Sequence, residues 1–184
     1  MAASVALRID FPVTVAVTPR TFAEAVREHQ DEVYGAALRI TGDREAALDV
    51  TSNTFLKAYR AFDRYDPARP LRHWLLRIAT NEAISHVRTR GRERNRRVDV
   101  EQAGTVADSA ATPELESVAR EDRARIRAAV TGLPELYRVV IVLRYFNELS
   151  VDEIAHVTGR RASTVGVQLL RGRALLRQAL EARP

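Results

Sequence analysis

Apolar residues return at intervals of three and four along most of the chain, and the resets in that rhythm divide it into helices. Thr21 and Glu24 have the spacing of a capping box, and Phe22, Val26, His29, Val33, Ala37 and Ile40 follow on one helical face before Gly42 stops the pattern. Asp43 is placed to cap a second helix, with Leu48, Thr51, Phe55, Tyr59 and Phe62 as its stripe. Tyr65-Asp66-Pro67-Ala68-Arg69-Pro70 then breaks the periodicity as a short, stiff loop. A third helix carries Leu71, Leu75, Ile78, Ala79, Ala83 and Val87, and runs on into arginines 88, 90, 92, 94, 96 and 97, opposed only by Glu93.

From Val98 the charge reverses. Asp99, Glu101, Asp108, Glu114 and Glu116 occur among Ala, Ser, Thr and Gly with no basic residue, the composition of a flexible acidic linker. Beyond it a helix through Val118, Ile126 and Val130 halts at Gly132. Pro134 suits the first turn of the next, whose buried side is Val139, Val140, Leu143 and Phe146. Ser150 to Glu153 form a second capping box, Ile154, Ala155 and Val157 follow, Gly159 makes a turn, and a last helix places Val165, Leu169, Gly172, Leu176 and Leu180 on one stripe. The fold predicted is all-α: a tail (1–19), a helical domain (20–97), an acidic linker (98–113) and a helix-turn-helix domain (114–184).

Composition narrows the chemistry. With no cysteine in 184 residues, disulfides, zinc fingers, iron-sulfur centres and thiol catalysis are excluded by inventory. His29, His73, His86 and His156 are scattered without metal-ligand spacing, and there is no phosphate-binding glycine loop or nucleophile elbow, so neither a metal, a cofactor nor an enzyme is expected. Apolar runs are far shorter than the ~20 residues of a membrane span, and residues 1–19, with Asp10 and Pro12 inside their apolar part, read poorly as a secretory signal, which points to the cytoplasm. A net charge of +5 favours a polyanionic partner through counterion release.

The helix-turn-helix says which polyanion. In such a unit the second helix enters the major groove of DNA, and the residues near its start and off its buried stripe are Arg160, Arg161, Ser163, Thr164, Val167, Gln168 and Arg171. Gln168 and Arg171 have the donors to read base edges, and Val167 can meet a thymine methyl.

The run DVTSNTFLKAYRAFDRYDPARPLRHWLLRIATNEAISHVRTRGRERN, residues 49–95, resembles the promoter-melting domain of bacterial sigma factors. LPELYRVVIVLRYFNELSVDEIAHVTGRRASTVGVQLLRGRALLR, residues 133–177, resembles their other promoter-binding domain. Together they are similar to the extracytoplasmic-function group. The resemblance implies a non-catalytic subunit that binds core RNA polymerase, brings it to a promoter and helps open the duplex, and that an anti-sigma protein holds inactive. It places polymerase contacts at Asp49, Thr54, Phe55, Lys57 and Ala58 of the second helix. It places Trp74 at the fork of the opening duplex, Arg77 and Asn81 beside the minus-ten strand, Tyr65 and Asp66 around an extruded base, and Ser85, His86 and Arg88 toward duplex phosphates. Opening demands this mixture, because a base leaving the stack needs an aromatic surface and an unpaired strand needs positive charge. The chain departs from the family pattern at Leu48, Ser52 and Asn53, where acids and a glutamine are usual, and at Gly166 and Val167, where a basic and a small polar residue are common. Two other readings fit the residues alone: a stand-alone dimeric helix-turn-helix regulator, and an arginine-rich RNA-binding or interaction protein.

Overall fold

A computed structural model describes residues 22–97 and 114–182 and, within them, every side chain except those of 94–97 and 114–120. The described residues form seven α-helices and one 3-10 turn, with no strand. In order they are α1 (Phe22–Thr41), α2 (Arg44–Ala61), the turn Phe62–Arg64, α3 (Leu71–Arg97), α4 (Glu114–Gly132), α5 (Glu135–Tyr145), α6 (Val151–Thr158) and α7 (Ala162–Glu181). The all-α class is as expected; the tail 1–19, the linker 98–113 and Thr21 of the first capping box lie outside the described residues. No helix among the described residues is long and apolar enough to cross a membrane.

Local chemistry sets the helix ends. Gly42 takes φ +72°, a left-handed conformation that favours glycine, and the next residue, Asp43, caps α2 by accepting from the Ala46 N–H at 3.0 Å. Ser150 and Glu153 close a reciprocal capping box on α6, which stops at Gly159 with φ +68°. Pro134 lies one position earlier than predicted, as the residue preceding α5 rather than in its first turn.

α1, α2 and α3 form one three-helix unit whose contacts are made largely by small side chains. α1 buries Ala25, Val33, Ala36, Ala37 and Ile40, and α2 buries Ala46, Ala47, Val50, Thr54 and Ala58. This corrects the stripe expected for α2: Leu48 is 52% exposed and Tyr59 66% exposed. Alanines let the helix axes approach closely, so the larger residues of α2 are turned outward. In the second unit α5 is the centre: its middle, the five consecutive apolar residues Val139 to Leu143, is buried all round, while its ends carry Glu135, Arg138 and Arg144. Phe146, expected inside, is 40% exposed under the Arg39 guanidinium, which sits 4.4 Å from the ring centre, and Ile126 of α4 is 44% exposed.

The two units pack together. One apolar cluster runs from Ala36, Ile40, Leu76 and Ala83 into Val130, Leu133, Val139 and Ile154 without a break. Around it, Arg138 donates to the Ile40 carbonyl at 2.7 Å. Glu32 of α1 accepts from Arg72 of α3 at 2.5–2.9 Å and from the Asn147 amide at 3.0 Å, while Arg72 also donates to the Asn147 carbonyl. Burial alone would raise the Glu32 pKa, but the hydrogen bonds from Arg72 and Asn147 hold it below the usual carboxylate value. A carboxylate with a depressed pKa stabilises the fold above its unfolded value of 4.5, and that contribution disappears as pH falls through the folded value. Glu32→Gln is therefore expected to cost about 1–3 kcal/mol at neutral pH. The cost should shrink as pH falls from neutral through the folded-state value; urea unfolding of both forms over a series of falling pH values measures it, and a cost independent of pH would contradict the assignment.

Candidate nucleic-acid interface

α3 presents a continuous strip. At about 100° per residue, Trp74, Arg77, Asn81, Ser85 and Arg88 fall on one side of the helix, and all but the half-buried Trp74 are exposed. The indole is held at its place by other rings: Tyr65 is 5.2 Å away and Phe62 6.4 Å, and Tyr65 stacks on Phe62 at 6.0 Å. Pro70, ending the stiff loop, lets α3 begin immediately: its carbonyl accepts from the His73 N–H at 3.0 Å. In that loop the Asp66 carboxylate accepts from the Ala68 N–H at 3.0 Å, and the Tyr65 hydroxyl donates to the Arg69 carbonyl. Burial, with Asp66 adding to it, raises the Tyr65 pKa, so the hydroxyl stays a donor at neutral pH. Rigid half-exposed rings beside exposed cations are the surface that an unstacked strand needs.

His86 does not belong to the strip. It stands about 100° round the helix from Ser85, with Nε2 buried and unpaired among the described residues, so the expectation that it faces phosphate is corrected. The basic end of α3 is partly engaged within the chain: Arg88 donates to both oxygens of Glu135 at 3.0 and 3.1 Å, and Arg90 to Asp43 at 2.6 Å.

On α7 the exposed residues near the start are Ser163, Thr164, Val167, Leu170 and Arg171, with Arg161 just before the helix. Gln168 is only 7% exposed because it shares the buried arc with Val165, Leu169 and Gly172, and its side-chain oxygen accepts from Arg160 at 2.9 Å. Arg160 is itself half-buried and donates also to the Leu136 carbonyl at 3.4 Å; burial lowers its pKa. The base-reading role expected of Gln168 is thereby corrected, and Arg160 is a brace at the helix start rather than an open surface cation. Leu170, 62% exposed, went unnoticed in the sequence, although its spacing from Val167 and Arg171 puts it on the same outward arc.

The α2 residues divide as well. Thr54 and Ala58 are fully buried, the Thr54 hydroxyl bonded back to the Val50 carbonyl at 2.7 Å, so neither can touch a partner. Asp49 is exposed, Lys57 pairs with Glu82 of α3, and Phe55 packs partly against Phe22. The outward face instead joins Leu48, Ser52, Leu56 and Tyr59.

Known proteins resemble both helical units. Residues 25–93 match the family model for sigma-70 region 2, and residues 123–176 match that for sigma-70 region 4. The ECF RNA polymerase sigma factor SigW of Bacillus subtilis is 35% identical over 168 residues, covering 86% of this chain and 88% of SigW. The chain belongs to the ECF sigma factors. An ECF sigma factor acts in promoter-specific initiation of transcription by RNA polymerase, and most of α3 and most of α7 fall within the two matched regions. Among solved structures, CnrH in complex with the cytosolic domain of CnrY is 27% identical with a TM-score of 0.66, covering 92% of this chain and 93% of that one. The sigma factor RpoE in complex with the anti-sigma factor NepR from Bartonella quintana shares the fold at a TM-score of 0.72 and 23% identity, covering 89% of this chain and 98% of that one.

Proposed function

We propose that this sigma factor docks on core polymerase through the outward face of α2, opens the minus-ten element along the α3 strip and holds the minus-thirty-five element with the outward face of α7. The observation that carries this is the separation of the two DNA surfaces by chemistry. The α3 strip combines supported aromatic rings with cations and an amide, the set that holds an unpaired strand, whereas α7 follows a capped helix and a glycine turn in the manner of a groove-reading helix. Trp74 stands at the fork, Arg77 and Asn81 along the strand, Tyr65 and Asp66 beside the extruded base, and Ser85 and Arg88 on phosphates. The factor itself performs no bond chemistry; polymerase supplies it. An anti-sigma protein, of the kind bound to the solved relatives, is the expected inhibitor, and the cytoplasm is the place of action.

Arg171→Ala tests the α7 reading. A lost bidentate base contact should weaken the polymerase complex on a promoter by about 1–3 kcal/mol. The loss should be confined to one base pair of the distal element, as read by affinity across single-base variants of that element. Equal losses on every variant would show a phosphate contact instead, and no loss would remove Arg171 from the interface.

A further inference from the structure

The outward face of α7 is apolar in its middle and basic at its edges. At about 100° per residue, Val167 and Leu170 fall about 60° apart on the exposed side of the helix. They are 50% and 62% exposed, large fractions for side chains of this kind. Arg171 borders them on one edge and Arg173 and Arg177 on the other, all three exposed. None of these arginines pairs with a carboxylate among the described residues, and the one acid of the helix is Glu181, its last residue. The amide that residue type would assign to base reading is not available, because Gln168 is buried and its oxygen accepts from Arg160. Gly166, one turn before Leu170, serves no close packing, since a Cβ there would meet nothing within 4 Å. A glycine inside a helix costs stability, and this one leaves the Leu170 side chain uncovered on that flank.

Two large apolar groups between edges of unpaired cations suit the major groove, where the C5-methyl of thymine is the apolar feature of the floor and phosphates stand on either side. We propose that Val167 and Leu170 read the methyl groups of thymines on adjacent base pairs of the minus-thirty-five element, so that this factor selects its element by apolar contact as well as by the hydrogen bonds of Arg171. The proposal rests on the reading that α7 holds that element. Three residues of helix advance about 4.5 Å along the axis, against about 3.4 Å between base pairs, which brings the two side chains over neighbouring steps. A G·C pair at either place offers no methyl group.

Replacing a thymine by deoxyuridine removes the methyl and leaves the hydrogen bonds of the base pair in place. The full-length factor, assembled with core polymerase, would be titrated with a promoter that it transcribes, carrying deoxyuridine at each thymine of the distal element in turn, on either strand. Substitution at two adjacent base pairs should each weaken binding about three- to fivefold, the worth of one buried methyl. Val167→Ala should remove the effect at one of them and Leu170→Ala at the other. Both side chains are exposed, so the variants should keep the fold, as a melting curve checks.

Fewer than two adjacent sensitive base pairs, or sensitivity that persists in both alanine variants, would overturn the proposal. So would variants that bind thymine and deoxyuridine promoters with equal loss, since that pattern belongs to a contact with protein rather than with a methyl group. Nuclease protection of the same complexes separates the proposal from the reading beneath it. A distal element left unprotected would show that α7 does not hold it, whereas protection without methyl dependence would overturn the methyl assignment alone.

Discussion

Tyr59→Ala combined with Leu56→Ala is expected to weaken association with core polymerase by ~2 kcal/mol or more, roughly thirtyfold, because exposed aromatic anchors concentrate the energy of protein interfaces. Both side chains are largely exposed on α2, at 66% and 46%, and the Tyr59 ring makes an edge contact with Phe22 at 5.3 Å between centroids. Stability should fall by no more than about 1.5 kcal/mol, the worth of the lost edge contact with Phe22. That combination separates docking from folding. Ala58→Leu would behave oppositely: the site is fully buried, and an overpacked core typically costs about 1–3 kcal/mol. Surface capture of polymerase by each variant, beside a melting curve, distinguishes the cases. Full affinity in the double variant would move the docking surface away from this face.

Trp74→Ala should abolish opening of a double-stranded promoter while leaving use of a pre-opened one largely intact. The indole is half-buried, braced by Tyr65 and Phe62, and heads the strip of Arg77, Asn81, Ser85 and Arg88. Removing it takes away the stacking surface at the fork, worth about 1–3 kcal/mol per base. On a template mismatched across the minus-ten element the unpairing is already done, so activity should return to within a few-fold of the parent. Trp74→Phe, which keeps a ring, should be intermediate. Were the alanine variant equally impaired on both templates, the defect would lie in folding or polymerase binding rather than in opening.

Much of the fold is legible because its signals are local. The turn at Gly42, the cap at Asp43, the box of Ser150 and Glu153 and the stop at Gly159 each depend on a few neighbouring residues, and each is found where its residues predict. Facing is harder. In α2 the largest apolar side chains look like the core stripe, but close helix packing selected Ala46, Ala47 and Ala58 for the inside. Gln168 and His86 illustrate the same difficulty: residue type suggests a DNA contact, whereas their angular positions, with Val165 and Leu169 in one case and away from Ser85 in the other, turn them from the exposed arcs. The closure of the two units had no sequence signal. It depends on pairs such as Arg88 with Glu135, 47 residues apart, and Glu32 with Asn147, 115 residues apart, which no periodicity connects.

The central claim is that this chain gives polymerase its promoter choice, and run-off transcription on a library of genomic fragments with purified core enzyme tests it most directly. Adding the full-length protein should produce transcripts from a small set of discrete start sites, each with related sequences at the minus-ten and minus-thirty-five positions. A transcript pattern identical to that of core enzyme alone would contradict the account.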